Sequence, residues 1–177
     1  MVHASEILGT FVGSTAPLFL IVLAVHVIGA LVAVISGAVA ALVRKGSARH
    51  VRFGRRYYRA ICVVFATALA LAAMRWRQDY KLAAIGTVAF AAGTVGLHRR
   101  RHRPGDAPHI NGMGLSYIAL LTAFYVDNGP HLPLWDHLPT IAFWLLPSVV
   151  GIPIILRALR PTRVKALVRS GEWPHER

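Results

Sequence analysis

Long runs without charged residues are the feature of this sequence that most limits how the chain can fold. Five runs of 14 to 27 residues contain no Lys, Arg, Asp or Glu, namely residues 17–43, 60–74, 82–97, 113–126 and 138–156. A helix that crosses a membrane satisfies its own backbone hydrogen bonds and needs about 20 apolar residues. Tyrosine and tryptophan side chains flank the shorter runs, as they do at membrane interfaces. The sequence therefore predicts an all-α bundle of five transmembrane helices that forms a single domain over residues 1–177.

The basic residues are distributed unevenly among the segments that connect these runs. Of the 20 Lys and Arg residues, 17 lie in residues 44–59, residues 98–112 and the tail 157–177, and only 3 lie between the second and third runs. Basic residues in short loops are retained on the cytoplasmic side of a membrane. We therefore expect the N-terminus outside, the C-terminus in the cytoplasm and the protein in the plasma (inner) membrane. The arginine clusters are expected to face anionic lipid headgroups rather than nucleic acid, because they border apolar spans.

Small residues recur at every fourth position in the first and third runs. Gly29, Ala33 and Gly37 share one face of the first predicted helix, and Ala89 and Gly93 share one face of the third. This spacing lets two helix backbones approach closely in lipid. We expect these residues to form helix–helix contact surfaces, and we expect the protein to be a homo-oligomer or a component of a larger membrane complex.

One histidine, His26, lies inside a predicted span and occupies the same helix face as Ala33 and Gly37. An ionisable residue within a span is a candidate for function. As an axial ligand of a b-type haem, His26 would need a second ligand, from Met74, a loop histidine or a second protomer, and Tyr125 would lie nearby. Contact with a quinone is a related role. The alternative is a neutral imidazole that hydrogen-bonds across a helix interface to a hydroxyl or a carbonyl.

The predicted outer loop contains carboxylates and imidazoles close together in sequence. Four such residues fall within eleven positions, namely Asp127, His131, Asp136 and His137. Carboxylate and imidazole ligands suit a first-row divalent metal ion. The same segment contains Asn-Gly and three prolines beside Trp135, which is typical of a rigid turn anchored at the headgroups. The sequence favours the rigid turn and keeps the metal site as an alternative.

Two adjacent motifs resemble a known group of proteins. The first is HxxGxxxAxxxG, which begins at His26, and the second is the basic stretch ARHVRFGRRYYR, which contains His50, Arg52, Gly54, Arg55 and Tyr57. Over residues 20–103 these motifs resemble a family of bacterial predicted multi-pass membrane proteins of unknown function. The resemblance implies a bacterial membrane protein and carries no activity with it.

The sequence contains few of the groups that membrane enzymes and transporters use. No carboxylate lies in a predicted span, and no nucleotide-binding loop, nucleophile elbow or zinc-protease motif occurs. We therefore expect a non-catalytic accessory or structural membrane component. The first alternative is a redox membrane subunit that binds b-type haem or quinone through His26. A weaker alternative is a small-solute transporter, because Pro147 is expected to bend the fifth helix.

Overall fold

The computed structural model describes residues 16–102, 106–133 and 137–170, and every regular element in these residues is helical. The five long helices are α1 (Ala16–Leu42), α2 (Ala48–Met74), α3 (Trp76–His102), α4 (Ala107–Asn128) and α5 (Thr140–Ser170). A short 3₁₀ helix, Gly129–His131, follows α4. The prediction of an all-α protein is confirmed.

Four of the helices are long and apolar enough to cross a membrane, and they contain the segments Pro17–Leu42, Ala48–Met74, Asp79–Arg99 and Thr140–Arg160. Four of the predicted spans coincide with these segments. Those at residues 60–74 and 82–97 lie inside them, and those at residues 17–43 and 138–156 extend past them by one or two residues. The remaining helix, α4, has 22 residues and is long enough, but its composition does not place it in this set. Its first eight residues, APHINGMG, include polar residues and two glycines, which lowers its apolar character.

The helices extend further than the uncharged runs. The segment 44–59 is not a loop beyond residue 47, because α2 begins at Ala48 and carries most of its arginines on its first three turns. Beyond the last uncharged run, α5 continues through basic residues to Ser170. Arginine is a good helix former, so a cluster of arginines marks the edge of the apolar region rather than the end of a helix.

The chain divides into two compact units, residues 1–84 and 85–177. In the first unit, α1 and α2 form an antiparallel hairpin whose turn includes Gly46, at a φ of 79°. The α1 seam has Ala33 at 0% exposure, and a Cβ added to Gly29 would lie 3.3 Å from a methyl group of Val64. Small residues on α1 therefore bring the backbone of α1 close to the side chains of α2. At the other end of the hairpin, the Arg75 guanidinium lies 5.5 Å from the ring centroid of Phe19.

In the second unit, α4 packs antiparallel to the end of α3 and to α5. Gly96 and Gly112 meet so closely that a Cβ on Gly112 would lie 2.5 Å from the Cα of Gly96. Gly93 faces Ser116, whose hydroxyl would lie 3.0 Å from an added Cβ, and Ala89 is buried. Glycines therefore supply the closest approaches in this unit. The prediction that residues 1–177 form one domain stays a prediction.

Candidate functional site

The most polar contact inside the first hairpin joins His26 of α1 to Thr67 of α2. The imidazole Nδ1 lies 2.9 Å from the Thr67 hydroxyl oxygen. That hydroxyl also lies 2.8 Å from the carbonyl oxygen of Val63 and 3.1 Å from that of Val64. Of the two roles considered for His26, the interhelical hydrogen bond to a hydroxyl is present in the structure.

The geometry around Thr67 determines which imidazole nitrogen carries the proton. A hydroxyl has one proton, and the short contact with Val63 is the usual bond of a helical threonine to the preceding turn. We therefore assign Nδ1–H of His26 as the donor and the Thr67 hydroxyl oxygen as the acceptor. A neutral imidazole in this tautomer has its lone pair on Nε2.

Of the other predicted cofactor residues, Met74 lies in the same unit as this contact and Tyr125 lies in the other unit. Met74 is seven residues beyond Thr67 on α2, which is about 10 Å along the helix axis, and its side chain is exposed. Tyr125 belongs to the second unit, where its ring packs edge-on against Phe124 with the centroids 5.5 Å apart. A haem or quinone site at His26, Met74 and Tyr125 therefore stays a prediction.

The predicted metal ligands of the outer loop are only partly described. Asp127 is exposed near the end of α4, His131 ends the 3₁₀ helix, and His137 is exposed before α5. Asp136 lies outside the described residues, as does Trp135. Within the part of the chain that is described, no three His, Cys, Asp or Glu side chains come together. The metal site stays a prediction.

A cationic surface forms at the start of α2. Four exposed arginines lie on one side of this helix over two turns, namely Arg52, Arg55, Arg56 and Arg59. Together with Ala48 and Val51 they line an open cleft of about 490 Å³. We refer to these four residues as the arginine face. The Arg56 guanidinium also lies 5.3 Å from the ring centroid of Phe53, where the ring attracts a cation. No Asp or Glu occurs between residues 7 and 78, so this stretch of the sequence supplies the arginine face with no countercharge.

Two hydrogen bonds fix the turn that presents the arginine face. The Ser47 hydroxyl accepts a hydrogen bond from the His50 backbone N–H and caps α2. The His50 side chain in turn donates from Nδ1 to the carbonyl oxygen of Ala40, at 2.9 Å. Lys45 donates to the carbonyl oxygen of Ala41 at 2.9 Å, and partial burial lowers the pKa of the Lys45 ammonium. The start of α2 is thereby tied to the end of α1.

Sequence reasoning missed Thr67, although a signal for it exists. In an antiparallel hairpin with a short turn, contacting residues lie at equal distances from that turn. His26 is 18 residues before Arg44, and Thr67 is 20 residues after Ser47. Thr67 is also the only hydroxyl residue in the uncharged run 60–74. Pairing a lone intramembrane imidazole with the hydroxyl at its own depth would have identified the contact.

These features define an all-helical protein with four helices that are able to span a membrane and with small-residue packing inside each unit. No protein-family model matches the chain, and no curated protein or solved structure is similar enough to count as a match.

Proposed function

We propose that the chain crosses the plasma membrane five times, with the N-terminus outside and the C-terminus in the cytoplasm. Support for α4 as a crossing comes from its contacts with α5. Gly114 faces Ile155 and Ile118 faces Gly151, and Gly129, which directly follows α4, faces Phe143. These contacts extend over 12 residues of α5, or about 18 Å, within a segment that is apolar enough to span. A helix that lies along a membrane span over this distance occupies the same depth.

The charge distribution supports the same number of crossings. With α4 in the membrane, the basic residues at the turn before α2, at the turn after α3 and at the end of α5 all lie on one side. With four crossings, the basic end of α5 would lie opposite the other two clusters. Five crossings therefore agree with the retention of basic residues in the cytoplasm. The resemblance to bacterial multi-pass membrane proteins is in line with this arrangement.

As its function, we propose a non-catalytic accessory or structural role in a membrane assembly. The observation that carries this proposal is that the buried side-chain polar atoms of the described residues all have hydrogen-bond partners. Thr122 and Thr94 bond to carbonyl groups of their own helices, and His26 bonds to Thr67. Polar groups that are satisfied by neighbouring atoms hold helices together and leave little to recognise a substrate.

The test is the size of the native assembly and its response to removal of the polar pair His26 and Thr67, which is partly buried between α1 and α2. The tagged chain is expressed from its own locus, extracted from membranes in digitonin and analysed by native electrophoresis. We expect an assembly larger than the monomer, and we expect the double variant His26→Leu/Thr67→Val to preserve it, because replacing both partners with apolar groups is close to neutral. Gly29→Leu, which would collide with Val64, is the disruptive control. A monomeric wild-type protein would overturn the proposal.

A second candidate, a redox subunit that binds b-type haem at His26, is favoured by one specific observation. Histidine ligands of metals commonly donate their second ring N–H to a neighbouring group, as His26 Nδ1 does to Thr67. The bond fixes the ring orientation and the tautomer that has its lone pair on Nε2. A bound haem would supply one-electron chemistry, and His26 would hold it on one side.

Visible absorption distinguishes the two candidates. The protein is purified in mild detergent after haem-replete expression, and spectra are recorded before and after dithionite. The redox candidate predicts a Soret band that His26→Ala abolishes and that Thr67→Val weakens by about tenfold in haem retention. A folded, colourless wild-type protein would exclude a haem-binding role and leave the accessory role standing.

A further inference from the structure

The arginine face lies at an unusual depth for so many cations. Three contacts between α1 and α2 show which residues of the two antiparallel helices lie side by side: Gly29 with Val64, His26 with Thr67 and Ala40 with His50. In each pair the two residue numbers add up to roughly 92, so the partner of any other residue can be found from the same sum. By this register Arg52 lies beside residue 40 and Arg59 lies beside residue 33. Residues 33–40 of α1 read AVISGAVA, without a charge. The four arginines are therefore held alongside an apolar helix, where the hydrocarbon of a membrane meets its headgroups.

The same side of α2 changes from cationic to apolar along its length. Further along α2, the helical repeat places Ala66 and Ala73 on the same side as Arg59, and both are exposed. Alanine side chains leave a shallow groove on a helix. A molecule that lies along this side would meet guanidinium groups at one end and a narrow apolar surface at the other. That is the arrangement of a phospholipid, with its phosphate above its acyl chains.

We propose that the arginine face and the alanine groove below it bind a phospholipid whose headgroup carries two phosphates. Arg52 and Arg56 are separated by one helical turn, as are Arg55 and Arg59, so each pair can enclose one phosphate. Guanidinium groups bind phosphate oxygens through two parallel hydrogen bonds, a geometry that lysine does not offer. An anion free in water would not need the apolar groove. The proposal rests on α1 and α2 crossing the membrane, and it is independent of the accessory role and of any cofactor.

The experiment measures lipid binding to the purified full-length chain in detergent by native mass spectrometry. Cardiolipin, with two phosphates, and phosphatidylglycerol, with one, are titrated separately, and pyrophosphate is the soluble competitor. For the wild type we expect cardiolipin to bind at least tenfold more tightly than phosphatidylglycerol. Equal affinities for the two lipids would overturn the proposal, as would pyrophosphate binding as tightly as cardiolipin. This comparison requires no variant and therefore does not depend on the folding of a mutant.

Variants then locate the site. We expect Arg52→Gln/Arg56→Gln to reduce cardiolipin affinity about tenfold, to that of phosphatidylglycerol. The control, Arg157→Gln/Arg160→Gln, removes two exposed arginines of α5 and should leave the preference unchanged.

Replacement of all four arginines of the arginine face with lysine keeps the charge, and it should lower the cardiolipin preference about fivefold while preserving binding to phosphatidylglycerol. If Arg157→Gln/Arg160→Gln lowers the preference for cardiolipin as much as Arg52→Gln/Arg56→Gln does, the proposed location of the site is refuted. A lysine variant with the full preference would refute the guanidinium geometry.

Discussion

Insertion of a single methyl group at Gly112 is the sharpest test of the packing in the second unit. A Cβ at this position would lie 2.5 Å from the Cα of Gly96, 2.7 Å from the carbonyl oxygen of Ala92 and 2.8 Å from the backbone nitrogen of Gly96. Carbon atoms in van der Waals contact are about 3.5–4.0 Å apart. All three obstructing atoms belong to the backbone of α3, so no side chain can rotate away. In the variant Gly112→Ala, α3 and α4 must separate by about 1 Å.

The expected cost follows from two opposing contributions. Overpacking of a well-packed interface costs about 1–3 kcal/mol, and a separation of about 1 Å forfeits up to half of the dispersion energy of the atoms at the contact. Replacing glycine by alanine in a helix returns about 0.5–1 kcal/mol. The net loss in free energy of unfolding is about 1.5 kcal/mol. For a chain of this size, that corresponds to a decrease in Tm of about 3–6 °C.

Two other glycines provide matched controls, and the assay is thermal unfolding in detergent followed by circular dichroism. At Gly54 no atom lies within 4 Å of an added Cβ, so Gly54→Ala should raise the Tm. At Gly114 the obstructing atoms belong to the flexible side chain of Ile155, so Gly114→Ala should cost less than Gly112→Ala. If Gly112→Ala unfolds within 1 °C of the wild type, or if Gly54→Ala is equally destabilising, the close helix contact is not present in the protein.

Three further outcomes are expected. In a double-mutant cycle of His26→Leu and Thr67→Val, the coupling free energy of unfolding should be about 0.6 kcal/mol, typical of hydrogen bonds between membrane helices, and a value of zero would contradict the contact. Ser47→Ala removes the cap of α2 and should lower the Tm by about 2–4 °C, whereas Ser47→Asn should leave it nearly unchanged. Similar losses in both variants would argue against the cap. In a cysteine-free background, an impermeant maleimide should label Asn128→Cys in intact cells and Asn111→Cys only after permeabilisation. Labelling of both from one side would refute a crossing by α4.

The uncharged runs located the helices well because the cost of placing charge in hydrocarbon is large. They located the helix ends poorly, because the ends depend on backbone hydrogen bonding. The second predicted span began at residue 60, whereas α2 begins at Ala48, where Ser47 caps it. The intervening arginines favour helix even though they leave the apolar region. A capping residue before a basic stretch is therefore the better signal for where such a helix begins.

The helix α4 is the least apolar of the five by the criterion for a membrane span, and it shows a second way in which composition misleads. Its early turns contain His109 and Asn111, and glycine replaces larger apolar residues at positions 112 and 114. These glycines are required where α4 meets Gly96 and Ile155, so close packing lowers the hydrophobicity of this helix. Composition alone counts such residues against the crossing that we propose for α4, whereas the contacts give a packing reason for them.

The sequence identified His26 as the central residue of the candidate site, but it did not identify the residue that His26 contacts. His26 stands out in the sequence because it is the only imidazole in a predicted span. Its bond to Thr67 depends on the register between two helices, which a pattern within one helix cannot supply. The predicted association with Met74 assumed that the end of the second span lies near the depth of His26. The register places Met74 two helical turns away from Thr67.

The two helices of the first hairpin, α1 and α2, have uncharged segments of different length. The uncharged segment of α1, Pro17–Leu42, is about 39 Å long, whereas residues 60–74 of α2 cover only about 22 Å. A flat bilayer with a core of about 30 Å fits neither segment. In the proposed arrangement, we expect the lipid beside α2 to become thinner and α1 to tilt, at a cost of fractions of a kcal/mol for each ångström of mismatch. We expect the protein to concentrate in thin or strongly curved regions of the membrane, so its lateral distribution would follow from the unequal lengths of two paired helices.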